Sequence, residues 1–315
     1  MGDSGIEIDV VIPAYNAERF LRRCLKSVFA QTLKPQKVFV VDDGSIDNTA
    51  TLAAELGATV ISRANGGLSA ARNSGIKAAS SEWIALLDAD DMWAPEKLDR
   101  QAACVRPETV LVYTGTRIFD DDGIRNERPA IDVMLAKKRL QYCNPITPST
   151  VLVRREMVMR DGGFREDILA CEDWEMWVRL EREGQFEAVT DPLTDYYVHP
   201  KSLSANPERM LQALDRIIDT TLLVGRQGFD RWAWRRRIRA TQLCSASLIA
   251  RENGFDSEAS YIFRSLQTWP SPLWQTGRYA VLVASMASKF FHPRRGLRTN
   301  SPGDIEATTD SHGTR

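Results

Sequence analysis

The sequence predicts an α/β protein whose central sheet is covered by helices on both faces. Within the first hundred of its 315 residues, short apolar runs alternate with amphipathic helical stretches. Runs that are apolar throughout indicate parallel strands buried on both faces. Acidic residues follow two of these runs, and ligands bind such sheets at the carboxyl ends of the strands.

Each element of this first half has its own signal. The strand Asp9–Ile12 precedes a helix that Asn16 is predicted to cap. Apolar residues at i, i+4 and i+8 spacing mark the buried face of that helix. They are Phe20, Leu21, Cys24, Leu25, Val28 and Phe29. The later predicted strands are 37–41, 58–61 and 83–87, and the later helices are 49–56 and 68–79.

The rhythm changes after Pro95, which suits the first position of a helix. Further strands are predicted at 109–113, 149–153, 186–189 and 196–199, and a helix at 173–181. From residue 207 the pattern is helical, whereas residues 296–315 are polar without periodicity and predict a disordered tail. We therefore expect an α/β domain at 1–205, a helical region at 206–295 and a tail at 296–315.

The composition of the chain limits the classes of function and partner that are expected. The chain has 41 Lys and Arg against 42 Asp and Glu, a formal charge of −1, which argues against a nucleic-acid partner. Five cysteines without CxxC spacing indicate reduced thiols and a cytoplasmic protein. The N-terminus lacks a secretory signal, and the apolar stretch Tyr279–Met286 is far shorter than the ~20 residues of a spanning helix. We expect at most peripheral contact with the cytoplasmic membrane face.

Asp88 and Asp90 are the most informative residues of the chain. They follow the apolar run 83–87 at i, i+2 spacing, which places both carboxylates on one side of the backbone. Hard oxygen donors at a sheet edge suit a divalent cation that arrives with phosphate groups. The alternative is a polar turn that only ends the strand. Tyr15 and Asp43 follow two other strands and converge on the same edge, which favours a nucleotide site.

Several ordered segments resemble glycosyltransferase family 2, whose members are inverting enzymes with the GT-A fold. The segments are VIPAYN at 11–16, VDDGS at 41–45, NGGLSAARN at 65–73, DADD at 88–91, CEDW at 171–174 and YVH at 197–199. The resemblance covers about residues 8–205. It implies a Rossmann-like mixed sheet with helices on both faces, followed by a C-terminal helical extension.

The resemblance implies a nucleotide-sugar donor, with a UDP-sugar expected. Pro13 would shape the turn after the first strand, and Tyr15 would stack on the base, unless it is simply a packed loop residue. Asp43 would accept the imide N–H of uracil, with a turn-capping role as the alternative. Arg72 would reach the nucleotide or form an ion pair on its helix. Asp88 would bind the ribose or share the metal.

The resemblance also implies metal-assisted chemistry. Asp90 would hold Mn²⁺ or Mg²⁺ through the diphosphate, with His199 near the metal and Asp91 as a supporting residue. A lone His after a strand is otherwise structural. Ser202 and Ser204 follow in a loop that is expected to order over the donor.

On the acceptor side, the resemblance implies that Asp173 takes the proton of the attacking hydroxyl. Glu172 precedes it at a helix start, where helix capping is the alternative reading of the acidic pair. Trp174 is expected to offer a stacking platform to the acceptor sugar, with core packing as the alternative. A glycan or a lipid-linked saccharide is the expected acceptor, as in cell-surface polysaccharide synthesis.

The C-terminal region contains a cluster of arginines and tryptophans. It comprises Arg231, Trp232, Trp234, Arg235, Arg236, Arg237 and Arg239. Such a cluster offers peripheral contact with an anionic membrane. A solvated face and an oligomer contact are the alternatives.

Other functions fit less well. The first βα turn lacks GxGxxG, which argues against a dinucleotide-dependent oxidoreductase. A nucleotidyltransferase on a related sheet, or a sugar-nucleotide-binding protein without transferase activity, stays open as an alternative.

Overall fold

A computed structural model describes residues 5–199, 206–252, 255, 257–271 and 278–282. Nine strands of these residues form one sheet. They are β1 (Ile8–Ala14), β2 (Lys37–Asp42), β3 (Thr59–Ser62), β4 (Trp83–Leu86), β5 (Met92–Trp93), β6 (Thr109–Asp120), β7 (Gly123–Arg128), β8 (Leu152–Arg154) and β9 (Gln185–Tyr197).

Ten α-helices are described around the sheet. They are α1 (Glu18–Phe29), α2 (Thr49–Glu55), α3 (Leu68–Ala78), α4 (Lys97–Ala102), α5 (Val133–Leu140), α6 (Arg155–Arg160), α7 (Glu172–Leu180), α8 (Pro207–Ile217), α9 (Gly228–Glu252) and α10 (Glu258–Thr268). A 3₁₀ turn at Pro148–Thr150 precedes β8, and a π-helical turn at Ile218–Leu222 continues α8.

The sheet is parallel in its first half and mixed in its second. Its order is β3-β2-β1-β4-β8-β6-β9-β5, with β7 paired to β6. The first four strands are mutually parallel, whereas β8 runs antiparallel to both β4 and β6. The mixed sheet with helices on both faces confirms the predicted fold class.

Alternate residues of β1 enter two separate cores, one on each face of the sheet. Val10 and Ile12 pack with α1, while Val11 packs with α3 and α7 on the other face. The C-terminal helices join the second core through residues such as Ile218 and Ile238. The helical region is thus packed on the α/β domain, and a boundary at residue 205 stays a prediction.

Several local predictions are wrong. Asn16 does not cap α1; its side-chain oxygen accepts the Ile46 N–H at 3.0 Å, and Asp47 accepts the Glu18 N–H at 3.2 Å instead. The separate strands predicted at 186–189 and 196–199 are joined in one strand, β9, which ends at Tyr197 and pairs with β6 on both sides of a break in register between Val189 and Thr194. In addition, α4 begins at Lys97, two residues after Pro95.

The predicted tail at 296–315 and the loop serines Ser202 and Ser204 lie outside the described residues. Among the helices that are described, none combines the length and the apolar character needed to cross a membrane.

Gly75 allows α3 to lie directly on β1. A Cβ there would stand 2.4 Å from a methyl carbon of Val11 and 3.1 Å from one of Val41. We predict that Gly75→Ala lowers stability, because overpacking costs about 1–3 kcal/mol and outweighs the gain of about 1 kcal/mol in helix propensity. Thermal unfolding measures the loss. Lys77→Ala, on the exposed side of the same helix, is the control, and equal melting temperatures for both variants would contradict the prediction.

Candidate active site

The predicted acidic turn follows β4 and is tied to the rest of the sheet through Ser149. The Ser149 hydroxyl accepts the Asp88 N–H at 3.0 Å and donates to Asp91 Oδ2 at 2.5 Å. The other oxygen of Asp91 accepts the Tyr197 N–H from β9 at 2.9 Å. Asp91 is fully buried and therefore supports the turn from inside. Burial first, and then the charges of Asp90 and Asp88, raise its pKa well above the usual range.

Asp90 follows β4 and His199 follows β9, and their side chains meet. Asp90 Oδ2 lies 3.2 Å from His199 Nε2, and both side chains are partly exposed. Burial and the charge of Asp88 raise the pKa of Asp90 because both disfavour its charged form, and a nearby cation would stabilise that form. Within the described ranges, no group of three or more His, Cys, Asp or Glu side chains is arranged to hold a metal ion.

The donor set nevertheless fits a cation that brings its own ligands. Mg²⁺ and related ions are commonly held by one or two carboxylates together with substrate phosphates. Asp90 could offer a carboxylate to such a cation, and His199 an imidazole nitrogen. Imidazole is a commoner ligand of transition ions than of Mg²⁺.

Asp43 holds the loop between β3 and α3. One of its oxygens accepts from the Arg63 guanidinium and the Gly66 N–H, both at 3.0 Å, and the other accepts the Gly67 N–H at 2.7 Å. Asp43 is 4% exposed. A carboxylate has about four acceptor positions, so one position is left for a ligand. Its contact with a base stays a prediction.

Tyr15 projects from the end of β1 and is 54% exposed, as a ring that stacks on a ligand must be. The next residue, Asn16, has a positive φ of 50°, a conformation that asparagine tolerates better than most residues. Its N–H donates to Ser45 Oγ at 2.9 Å, which fastens the Tyr15 turn to the turn after β2. Pro13 lies earlier, buried within β1 and in register with Val41, so it supports the strand from which Tyr15 emerges.

Arg72 is buried between two carboxylates from different parts of the chain. One terminal nitrogen donates to Asp88 at 2.7 Å and the other to Glu172 at 2.6 Å. The side chain is 1% exposed, and its guanidinium carbon lies 5.3 Å from the Phe164 ring centroid. Arg72 thus links the donor-side turn to the start of α7. Its predicted contact with the nucleotide stays a prediction, and its ion pairs are buried and not on the helix surface.

Asp173, at the start of α7, has the properties of a proton acceptor. Its Oδ1 accepts the Trp174 N–H at 2.7 Å, and its Oδ2 accepts the Asn144 amide at 2.8 Å. Burial, followed by the charge of Glu172, raises the pKa of Asp173 to about 7, against a smaller lowering by Arg72. A carboxylate with this pKa accepts a proton effectively at neutral pH. Cys171, which precedes α7, has a positive φ of 58°.

Trp174 corrects one expectation. It is 1% exposed, and its indole N–H donates to the Leu140 carbonyl at 2.8 Å, so the ring packs in the core and not against an acceptor. The reason is its helical position, which points inward from α7. Glu172 is 7% exposed and engaged with Arg72, so its place on the acceptor side is indirect.

The arginines of α9 are largely used within the protein. Arg231 and Arg235 pair with Asp219, and Arg235 and Arg239 pair with Asp215. Such pairing reduces the charge available to an anionic membrane. Phe229 and Trp232 remain 77% and 49% exposed beside them, and membrane contact through this region stays a prediction.

Sequence reasoning missed three contributors: Ser149, Asn144 and Arg23. Each acts through a long-range hydrogen bond to the site, and Arg23 donates to the Asp90 carbonyl at 3.0 Å. Serine, asparagine and arginine are common on loops and helix faces, so the sequence carried no signal for them.

Comparison with known proteins assigns about half of the chain to one family. Residues 9–162 match the model described as glycosyl transferase family 2. The chain carries a family 2 glycosyltransferase domain. This confirms the resemblance drawn from the ordered segments.

Curated relatives are similar to part of this chain. The Nostoc sp. protein alr2836, named as an uncharacterized glycosyltransferase, is 42% identical over 169 residues, which are 49% of this chain and 52% of that protein. RT0329 of Rickettsia typhi is 28% identical over 186 residues, 56% of this chain. This chain spans 58% of RT0329, less than two thirds of its length. WfgD of Escherichia coli is 26% identical over 65% of this chain and 82% of the length of WfgD. It is named as a UDP-Glc:alpha-D-GlcNAc-diphosphoundecaprenol beta-1,3-glucosyltransferase.

Solved structures show the same fold. TarS 1-349 of S. aureus, in complex with UDP-GlcNAc, gives a TM-score of 0.60 at 20% identity over 89% of each chain. The mannosyltransferase PcManGT from Pyrobaculum calidifontis, with GDP-Man and Mn²⁺, gives 0.58 at 19% identity over 92% of this chain and 89% of its own. The family 2 domain therefore has the expected GT-A architecture.

We predict that Arg72→Leu strongly destabilises the family 2 domain, because it leaves buried carboxylates without a partner. Breaking a buried ion pair on one side costs about 3–5 kcal/mol, and the partial exposure of Asp88 places the expected loss near the lower figure. Adding Glu172→Gln removes one stranded charge and should restore part of the loss. Urea denaturation measures both variants.

Arg160→Leu is the control for Arg72→Leu. The ion pair between Arg160 and Glu183 is exposed, so it should contribute less than about 1 kcal/mol to stability. Similar losses in the Arg72 and Arg160 variants would show that the buried bridge contributes little.

Proposed function

We propose that the chain transfers a sugar from a nucleoside diphosphate donor to a saccharide acceptor, with inversion at the anomeric carbon. The observation that carries the proposal is the bridge from Asp88 through Arg72 to Glu172. It joins the acidic turn, where the diphosphate would bind, to Asp173, which would receive the proton of the acceptor. The family 2 match over residues 9–162 supports the reaction class.

UDP is the proposed nucleotide, with Tyr15 stacking on the base and Asp43 at its polar edge. The exposed ring and the buried carboxylate at the ends of neighbouring strands support this arrangement. WfgD and a second Escherichia coli protein, WfaP, which is 29% identical over 208 residues and is also named as a UDP-Glc:alpha-D-GlcNAc-diphosphoundecaprenol beta-1,3-glucosyltransferase, agree with this nucleotide, as does TarS, solved with UDP-GlcNAc. The GDP-Man complex of PcManGT makes the base a matter for experiment.

Asp90 and His199 would hold a divalent cation, Mn²⁺ in preference to Mg²⁺, together with the diphosphate of the donor. The bound ion would act as a Lewis acid and offset the negative charge that grows on the departing nucleoside diphosphate. The PcManGT structure, which contains Mn²⁺, supports a cation in a protein of this fold.

In the reaction, Asp173 accepts the proton of the acceptor hydroxyl as its oxygen attacks the anomeric carbon. The new glycosidic bond forms on the face opposite the diphosphate, and the bond from that carbon to the diphosphate breaks. Asn144 and the Trp174 N–H hold the carboxylate in one orientation. Arg72 keeps the start of α7 next to the turn that ends β4.

The proposed acceptor is a glycan or a saccharide on a lipid diphosphate, in the cytoplasm or at its membrane face. WfgD and WfaP are named for a diphosphoundecaprenol-linked acceptor and match 65% and 63% of this chain. Peripheral membrane contact through the exposed aromatic residues of α9 would suit such an acceptor.

The donor is tested first by binding. We predict that a UDP-sugar with Mn²⁺ raises the melting temperature more than GDP- or dTDP-sugars do. Asp90→Asn should lose the Mn²⁺-dependent part of that shift, because one of the two side-chain ligands is weakened. A shift by UDP-sugars that is indifferent to Mn²⁺ and to Asp90 would refute the cation site.

The role of Asp173 as general base is tested by the pH dependence of transfer. We predict that kcat/KM for transfer falls as pH drops through about 7, because Asp173 is inactive once protonated. Between pH 8 and pH 6 the deprotonated fraction falls roughly tenfold. Asn144→Ala should move this limb to higher pH, since it removes a hydrogen bond that favours the charged carboxylate.

Asp173→Asn is the decisive variant. Donor binding should remain while transfer falls by about 10²–10⁴-fold, the usual contribution of a general base. Unchanged turnover in Asp173→Asn would remove this residue from the proposed role.

A further inference from the structure

Arg23, on α1, lies among aromatic rings directly behind the acidic turn. Its guanidinium carbon is 4.1 Å from the ring centroid of Tyr197, 5.1 Å from that of Phe20 and 5.2 Å from that of Phe119. A planar guanidinium surrounded by ring faces is held both by stacking and by the attraction of a cation to the ring quadrupole. We call Phe20, Phe119 and Tyr197 the aromatic box.

The box directs the guanidinium at the backbone of the proposed cation site. One terminal nitrogen of Arg23 donates to the carbonyl oxygen of Asp90 at 3.0 Å. The Arg23 Nε is buried and has no hydrogen-bond partner among the described residues. Arg23 is therefore committed to one polar contact, the peptide that carries the Asp90 carboxylate.

Two rings of the box also hold His199. The imidazole stacks on Phe20 at 5.3 Å and 30°, and on Tyr197 at 5.4 Å and 28°. His199 Nε2 in turn lies 3.2 Å from Asp90 Oδ2. Arg23 is therefore connected to Asp90 in two ways. It donates a hydrogen bond to the Asp90 carbonyl, and it contacts the rings that pack against His199, which in turn contacts the Asp90 carboxylate.

We propose that Arg23 is a positioning residue that fixes the separation between the Asp90 carboxylate and the His199 imidazole. The inference rests on the proposed function, because it assumes that these two side chains bind the cation that accompanies the donor. With two protein ligands, the site depends strongly on their spacing. Residues that orient metal ligands commonly change metal affinity by 10–100-fold when they are replaced.

The charge of Arg23 and its positioning of the ligands predict opposite changes in cation affinity when the residue is replaced. A nearby guanidinium repels a divalent cation, so removal of its charge alone would tighten cation binding. Loss of the fixed spacing would weaken binding instead. Lysine at position 23 retains the charge but lacks the planar fork and its stacking, so it separates the two effects.

The experiment titrates Mn²⁺ into the full chain at saturating UDP and follows free Mn²⁺ by electron paramagnetic resonance. This readout is independent of turnover. We expect Arg23→Lys and Arg23→Met to weaken Mn²⁺ binding by about tenfold or more. The matched control is Arg22→Met, at the exposed neighbouring position of α1, which should bind as the wild type does.

Phe119→Leu tests the box without altering Arg23, and decides the matter if the Arg23 variants do not fold. Phe119 contacts Arg23 and lies 5.0 Å from Tyr197. We expect a loss of Mn²⁺ affinity of several-fold, with circular dichroism and thermal unfolding confirming the fold.

Wild-type affinity in Arg23→Lys, or tighter binding in Arg23→Met, would overturn the positioning role, as would unchanged affinity in Phe119→Leu where the Arg23 variants do not fold. A wild-type chain that binds no Mn²⁺ with UDP would overturn the proposed cation site itself. The two failures are therefore distinguishable within one titration series.

Discussion

The arrangement of this site depends on a buried arginine between two carboxylates. Arg72 is held at 2.7 Å from Asp88 and 2.6 Å from Glu172, and almost none of its surface reaches solvent. A buried guanidinium without partners is costly, as is a buried carboxylate, so each of the three groups constrains the other two. The start of α7 must therefore lie beside the turn that ends β4. The same constraint fixes the position of Asp173, which follows Glu172 in α7.

The acidic residues of the site differ in how much of each carboxylate serves to build it. Asp91 and Asp43 are almost fully buried and satisfy backbone N–H groups of β9 and of the loop before α3. Buried backbone donors need such partners, which explains why carboxylates occupy these positions. Asp90 and Asp173 keep part of their surface exposed, and the proposed chemistry is located at these two residues.

The helices after residue 206 are part of the same structure rather than an independent appendage. Ile218 and Ile238 enter the core that also contains Trp174 and Trp177. The α9 arginines are drawn into pairs with Asp215 and Asp219, while the aromatic side chains near them stay exposed. The helical region thus contributes packing beneath α7, and its outer surface retains apolar rings next to paired charge.

The sequence by itself determined the alternation of strands and helices, the location of the acidic turn and the resemblance to glycosyltransferase family 2. Apolar runs and helical spacing report burial directly, and residues such as Tyr15, Asp43 and Asp90 lie within short segments whose order is recognisable. Only the tertiary structure decided the antiparallel position of β8, the burial of Trp174 and the partners of Arg72. It also brought Ser149, Asn144 and Arg23 to the site. These features depend on contacts between residues far apart in the chain, where neither periodicity nor local composition records which partner a polar side chain will find.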